Sequence, residues 1–344
     1  AARTKPGADA FELRAVRPDG GSYAKVDFAG GGLAVTGLSG APTAIRAVDV
    51  NQDGASDLLV FSAFGPPVLF LSDKAGGLKP FTEGLGPLGG ATPAGLGMVD
   101  LDGPALLVAQ NTFARRVVLD DKGQWQIKDQ YNAARGTAQI QGAAAIDVTG
   151  EGRKDVVLLD RNTKSLLFLT PREGVFRQAG TLSVGSLNFD GLHVGDFDGD
   201  GRDDLLIAGT DRFAVLETGG KGRRLKEIAG YEPKTVDGRL GDLIAGDFNA
   251  DGAADVIFTD LAEQALHIAT YDGSDDLLPA LTFKLYERKS FRGGGASFEP
   301  REMAAGDVDG DDRTDLVMIL HDRIVILRQD PGPDAAAETA AAPK

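Results

Sequence analysis

One segment recurs along this chain: a short apolar strand, a loop crowded with aspartate, then a second apolar strand. AIRAVDVNQDGASDLLVF carries Asp49, Asn51, Asp53 and Asp57, and AAAIDVTGEGRKDVVLL carries Asp147, Thr149, Glu151 and Asp155. LHVGDFDGDGRDDLLIA has Asp196, Asp198, Asp200 and Asp204. LIAGDFNADGAADVIF has Asp247, Asn249, Asp251 and Asp255, and MAAGDVDGDDRTDLVMIL has Asp307, Asp309, Asp311 and Asp315. A truncated copy, GMVDLDGPALLVA, begins at Asp100. The six starting points lie 51, 47, 49, 51 and 60 residues apart. A repeat of this period is one supersecondary unit that buries its apolar face only against its neighbours.

The remainder of each repeat is strand-like. In the copy that starts at Asp196 the loop is followed by DLLIA, then FAVLE, then RLKEIAG. With the strand before the loop, each repeat supplies four short antiparallel strands, the blade of a β-propeller. No helical period of useful length separates the strands, which argues against a parallel α/β sheet. The expected fold is all-β, with six four-stranded blades. The last repeat lacks its own fourth strand, so an N-terminal strand from FELRAV, YAKVDF or LAVT is expected to complete it and protect its edge. A seventh blade built from residues 11–40 is the alternative. Residues 11–330 would form a single propeller, with residues 1–10 as a flexible lead. The Ala/Pro-rich residues 331–344 read as a tail, or a linker within a longer chain. A first residue Ala1 rather than Met is expected of a processed or excised chain.

The loops share nine positions, with oxygen-bearing side chains at 1, 3, 5 and 9. Position 7 can add a backbone carbonyl, from Ala55, Arg153, Arg202, Ala253 and Arg313. Ca²⁺ takes about six to eight oxygen ligands, and an acidic loop of this kind can supply them. Gly54, Gly152, Gly201 and Gly252, just after position 5, permit the sharp turn. Hard oxygen donors without His or Cys favour Ca²⁺ over zinc or copper. Asp and Gly also build ordinary polar turns. Three or four such side chains in nine residues, five times over, would repel one another without a cation. Four to five structural Ca²⁺ ions are therefore expected, Thr149 being the weakest of the side-chain donors. The Asp100 copy lacks the closing Asp and reads as a plain turn.

Composition fits this assignment. The formal charge is −15, from 51 Asp plus Glu against 36 Lys plus Arg. Such a surface does not suit nucleic acid, whose phosphates demand basic groups. At positions 1, 3, 5 and 9 the five loops hold 17 of the 51 acidic residues. There is no Cys, hence no disulfide, thiolate zinc site or cysteine nucleophile, and metal ions are the brace left to the fold. No apolar run approaches the roughly 20 residues of a membrane-spanning helix, so no direct membrane insertion is expected.

From about residue 41 to 328 the loops and strands resemble the FG-GAP/VCBS repeats of integrin α-subunit propellers and of many exported bacterial proteins. The Phe-Gly and Gly-Ala-Pro signatures are poorly matched, so the likeness is nearer the VCBS branch. The resemblance implies structural calcium bracing each blade, a role in adhesion or ligand binding, and a secreted, periplasmic or cell-surface location.

No catalytic constellation is recognisable. His193, His267 and His321 lie in or beside strand-like segments with no nucleophile motif nearby. Gly84, Gly86 and Gly89 spell GxGxxG, but Pro87 interrupts it and no helix follows, so a loop is expected. Lys221-Gly-Arg-Arg-Leu-Lys226 reads as a solvated hairpin. The turns at the blade ends opposite the acidic loops carry Arg115-Arg116, Asp160-Arg161, Lys164, Asp211-Arg212 and Asp322-Arg323. Arg115, Arg161, Arg212 and Arg323 would there present guanidinium groups to an anionic partner, such as an acidic glycan or a protein carboxylate. The leading function is a non-enzymatic, calcium-stabilised module that binds a protein or glycan. The rivals are a polysaccharide lyase or hydrolase on the same scaffold, and a structural spacer of a larger surface protein.

Overall fold

The computed structural model describes residues 2–3, 11–13, 15–19, 22–26, 33–35, 38, 42–72, 77–185, 188–210, 212–218, 224–227, 240–261, 263–271, 277–284, 300, 302–307, 311–320 and 323–329. The chain is all-β, a six-bladed propeller, and the only helix among the described residues is a three-residue 3₁₀ turn, Gly86–Leu88. That turn lies inside the GxGxxG segment, which is a connection between blades, as expected.

Blade 1 is Pro42–Val48, Asp57–Ser62, Val68–Ser72 and Leu78–Phe81; blade 2 is Leu96–Asp100, Pro104–Gln110, Phe113–Leu119 and Trp125–Asn132. Blade 3 is Ile140–Ile146, Asp155–Asp160, Ser165–Arg172 and Val175–Ser183; blade 4 is Phe189–Gly195, Asp204–Gly209, Phe213–Glu217 and Arg224–Glu227. Blade 5 is Leu240–Gly246, Asp255–Asp260, Ala265–Tyr271 and Leu277–Lys284; blade 6 is Glu302–Gly306, Asp315–Leu320 and Arg323–Leu327. In every blade the strands pair antiparallel in chain order. The chain divides into two compact units, Ala1–Val194 with Arg202–Ile228, and Gly195–Gly201 with Ala229–Lys344.

Burial follows sequence. The second strands are continuous apolar runs, and every residue of Asp155–Asp160, Asp204–Gly209 and Asp255–Asp260 is buried. A strand covered on both faces needs such a run rather than alternation. The fourth strand Val175–Ser183 is mostly exposed, with partly buried residues interspersed. Within each unit, cores form between consecutive blades. Leu59, Phe61 and Leu69 of blade 1 pack with Leu106, Val108 and Leu119 of blade 2. Leu107 and Tyr131 pack with Val156, Leu158 and Leu169 of blade 3, and Val157, Leu159 and Phe168 pack with Leu205, Ile207 and Leu216 of blade 4. In the second unit, Ile257 and Leu266 meet Met303, Leu316 and Met318.

The N-terminal strands depart from expectation. Ala2–Arg3, Phe11–Leu13 and Leu33–Val35 form a three-stranded sheet of their own, and Ala15–Asp19 pairs with Ser22–Val26. Blade 6 is a sheet of three strands, and none of the described N-terminal strands pairs with it. Short-range pairing closes small loops, which costs less entropy than bringing the two chain ends together. Residues 4–10 and 331–344 lie outside the described residues.

Candidate metal centres

All five complete acidic loops connect the first strand of a blade to the second. Position 9 is in each case the first residue of the second strand: Asp57, Asp155, Asp204, Asp255 and Asp315. These five aspartates are at most 2% exposed. A carboxylate is rarely buried unless it is paired or hydrogen-bonded. Here backbone N–H groups serve it, and at Asp57 they come from two different segments. Asp57 Oδ2 accepts from the Val50 N–H at 3.0 Å and Oδ1 from the Ser72 N–H at 2.8 Å. The Thr218 N–H donates to Asp204 Oδ1 at 2.8 Å, and the Gln329 N–H to Asp315 Oδ1 at 3.0 Å. At Asp57, Asp204 and Asp315 position 9 thus ties its loop to the end of the third strand, or to a residue just past it, while Asp255 accepts from the Phe248 N–H of its own loop at 2.9 Å.

Position 1 closes the loop on itself. Asp49 accepts the N–H groups of Asp53 and Gly54, and Asp196 those of Gly199, Asp200 and Gly201. Asp307 accepts from Asp311 and Asp312, and Asp247 from Gly252. Asp147 takes four, from Thr149, Gly150, Glu151 and Gly152. Burial pushes the Asp147 carboxyl up, but those four donors outweigh it and the group lies below the usual carboxylate range. The Thr149 hydroxyl also turns to Asp147 Oδ1, at 3.3 Å. Position 1 of this loop is thus satisfied by its own backbone donors.

The loop at 247 is the opposite case. Burial pushes Asp255 up to about 6; the Phe248 N–H opposes this, and the charges of Asp251 and Asp247 add to it. Asp247 Oδ1 is buried with no hydrogen-bond partner. Asn249 Nδ2 reaches Asp251 Oδ2 at 2.9 Å and lies 3.5 Å from Asp255 Oδ1, while Asn249 Oδ1 accepts the Asp251 N–H at 2.9 Å. Burial likewise raises Asp57, against the Ser72 and Val50 N–H groups, with Asp49 and Asp53 contributing repulsion. In both loops a buried carboxylate faces two further carboxylates. In the loop at 196, carboxylate oxygens of Asp196, Asp198 and Asp204 lie within 4.8 Å of one another. Clustered oxygens, an orphaned buried acceptor and mutually repelling anions fit a hard cation such as Ca²⁺. Asn51 and Asn249 would offer Oδ1 to the ion after a rotation of the amide.

Position 7 holds a feature that spacing did not reveal. Arg313 Nη1 sits 3.1 Å from Asp311 Oδ2, and Arg153 Nη2 sits 3.4 Å from Glu151 Oε2. The residues expected to give only a carbonyl therefore place a guanidinium on the position 5 carboxylate. Ala55, Ala253 and Arg313 also donate their N–H groups to Oδ1 of Asp53, Asp251 and Asp311. Asp200, at position 5 of the loop at 196, donates its backbone N–H to Asp196 and Asp198 and is exposed, as is Arg202. Asp309 lies outside the described residues. Position 6 has positive φ throughout, from 64° at Asp312 to 89° at Gly252, and position 4 does so at Gln52 and Ala250.

Blade 2 lacks the complete loop, and a plain turn stands there, with the Gly103 N–H on Asp100 Oδ1 at 2.9 Å. Its cation comes from the protein. The buried Arg116 guanidinium lies 2.8 Å from Asp129 and 3.5 Å from Asp102 of that turn, and the Tyr131 hydroxyl donates to Asp129 at 3.3 Å. Arg116 thus reaches toward the acidic-loop end of its blade, not the opposite end where its place in the chain suggested. It lines a cavity of about 290 Å³ with Gln52, Asp102 and Lys128.

Of the arginines expected to face a partner, Arg161 and Arg212 are exposed beside turns between second and third strands. Arg115 lies over the Phe113 ring at 4.6 Å and donates from Nε to Gln130. The Arg323 side chain, Asp211, Asp322, His321 and Lys221–Arg223 lie outside the described residues. His267 is buried, stacked on Phe258 and bonded to Thr282 Oγ1 at 2.9 Å, a packed histidine. His193, in the first strand of blade 4, is pushed down to about 4 by burial and by the Arg46 charge.

The sequence profile of the FG-GAP-like repeat matches residues 147–207, 196–258 and 247–318. No curated protein matches the chain in sequence. Among solved structures, an Agrocybe aegerita lectin that recognises non-reducing terminal N-acetylglucosamine aligns over 88% of this chain and 83% of its own, with 14% identity and TM-score 0.53. A candidate 6-phosphogluconolactonase of Bacteroides fragilis aligns over 95% and 93%, with 14% identity and TM-score 0.54. A Lactobacillus plantarum protein aligns over 96% and 94%, with 11% identity and TM-score 0.51. At these identities the likeness is one of fold.

Proposed function

The chain belongs to the FG-GAP-like repeat family, and on that premise we propose that it is a calcium-braced propeller acting as a non-enzymatic binding module outside the cell. The observation that carries the calcium reading is the loop at 247. There a fully buried Asp255 faces Asp247 and Asp251 while Asp247 Oδ1 has no hydrogen-bond donor. A bound divalent ion would relieve both the repulsion and the orphaned acceptor. Elemental analysis of protein dialysed against Ca²⁺ should find four to five ions per chain. Chelation should lower the melting temperature, because a metal bound only to the folded state stabilises it by mass action. A chain that retains no Ca²⁺ and melts unchanged in chelator would sink this reading.

The binding role is supported by exposed arginines at the turns remote from the acidic loops, on a chain that is otherwise strongly acidic. The ligand class proposed is an acidic glycan or a protein carboxylate, held by charge-assisted hydrogen bonds. A panel of neutral and acidic glycans and of candidate proteins, screened with and without Ca²⁺, tests it. Arg161→Ala with Arg212→Ala should weaken any hit at least tenfold, and unchanged binding would remove these residues from the site.

A further inference from the structure

The acidic loops of blades 4, 5 and 6 are joined in series. Position 8 of one loop packs against the start of the loop before it. The Ala254 N–H, at position 8 of the loop at 247, donates to the backbone carbonyl of Asp196, position 1 of the loop at 196, at 2.7 Å. A Cβ placed on Gly195, just before Asp196, would stand 3.2 Å from the Ala254 methyl, closer than an ordinary van der Waals contact. The next pair repeats the close approach: a Cβ on Gly246, just before Asp247, would stand 3.3 Å from Cγ2 of Thr314, position 8 of the loop at 307.

Ala254 is flanked by Ala253 and Asp255, positions 7 and 9 of its own loop, so an ion there fixes the N–H that holds Asp196. Blade 1 is different. Its loop meets blade 2, where the Leu119 N–H donates to the Val50 carbonyl at 3.1 Å and Gln52 donates to the Pro104 carbonyl. Blade 2 has no complete acidic loop, so this contact leads to no second ion.

We propose that the Ca²⁺ sites of blades 4, 5 and 6 are positively coupled through these position 8 contacts, whereas the site of blade 1 loads independently. The inference rests on the calcium reading above. Ordering one loop places the backbone of its neighbour, so the second ion finds a loop whose ordering entropy is already spent. Coupling free energies between sites commonly change affinity about five- to 150-fold. The coupled sites should therefore load over a narrow range of Ca²⁺ concentration.

The test is a Ca²⁺ binding isotherm by equilibrium dialysis on the full chain and three variants, two of which each lose one loop carboxylate. Asp49→Asn and Asp251→Asn should each remove one ion. Asp49→Asn should leave the midpoint of the remaining ions unchanged. Asp251→Asn should raise that midpoint at least fivefold for two of the remaining ions and lower the Hill coefficient. Gly195→Ala removes no ligand yet crowds Ala254, and should produce part of the same shift. If Gly195→Ala fails to fold, Ala254→Gly, which keeps the N–H and loses the methyl contact, replaces it. Equal midpoints for Asp49→Asn and Asp251→Asn, or tighter binding in the latter, would overturn the coupling while leaving the calcium reading intact. A wild-type chain that binds no Ca²⁺ would overturn both.

Discussion

Asp57 and Ser72 are joined across 15 residues by a 2.8 Å hydrogen bond, from the Ser72 N–H to Oδ1 of a fully buried carboxylate. The other oxygen of Asp57 holds Val50. The group is therefore a staple between loop and third strand, whatever ion the loop carries. Asp57→Ala should leave two N–H groups unpaired and cost about 3 kcal/mol. Urea unfolding in chelator should show the full loss, and a cost confined to the Ca²⁺-loaded protein would assign Asp57 to the metal alone.

The pH dependence of His193 has a definite sign. Its pKa is about 4 in the fold against 6.5 for a free histidine. Between those values the unfolded chain binds the proton and the native chain does not. Stability is therefore fully present above pH 6.5 and falls as the pH drops toward 4, by at most about 3–4 kcal/mol. His193→Gln should flatten that part of the profile relative to wild type. An NMR titration placing His193 near 6.5 in the folded protein would contradict this account.

Blade 2 should be indifferent to chelation. Arg116→Met removes the cation that joins Asp102 and Asp129 and should destabilise by about 2–3 kcal/mol. The loss should be equal with and without Ca²⁺ by calorimetry. Arg116→Lys should not restore it, because one ammonium cannot reproduce the Nε and Nη2 contacts to Asp129.

Two neighbouring loop positions offer a backbone test. Ala250 has φ 61° and Gly252 has φ 89°, both in the region that disfavours an L side chain. Ala250→Gly should leave stability unchanged or raise it by up to about 1 kcal/mol, while Gly252→Ala should lower it by about 1–2 kcal/mol. Thermal melts in chelator would compare them, and an inverted order would refute the argument.

The fold is legible because the Asp-rich loop recurs near every fifty residues and marks each blade by itself. The positions of Asp49, Asp57 and their counterparts are legible too. What those carboxylates do with each oxygen is not. The Ser72, Thr218 and Gln329 partners lie on or beside strands whose return to the loop depends on hairpin register, which spacing does not encode. Arg116 escapes sequence reasoning for a related reason: its position in the third strand is mid-blade, and only the direction of a long side chain takes it to Asp102. Arg153 and Arg313 look like generic loop residues until the turn folds them back on positions 5. The N-terminal strands look in sequence like a source of closure, but Ala2–Arg3, Phe11–Leu13 and Leu33–Val35 satisfy one another locally.

The chain-order pairing of the blades bears on how the molecule acquires its structure. Val48 meets Asp57, Ile146 meets Asp155, and Gly246 meets Asp255, each across a single hairpin. Contact order within a blade is therefore low for an all-β protein, and strand formation need not wait for distant segments. A blade can zip as soon as its own residues leave the ribosome, then offer its apolar face to the next one synthesised. Within each blade, sequence order, spatial order and the order of synthesis coincide. The polypeptide is thus suited to vectorial folding, in which newly made strands find their partners just behind them.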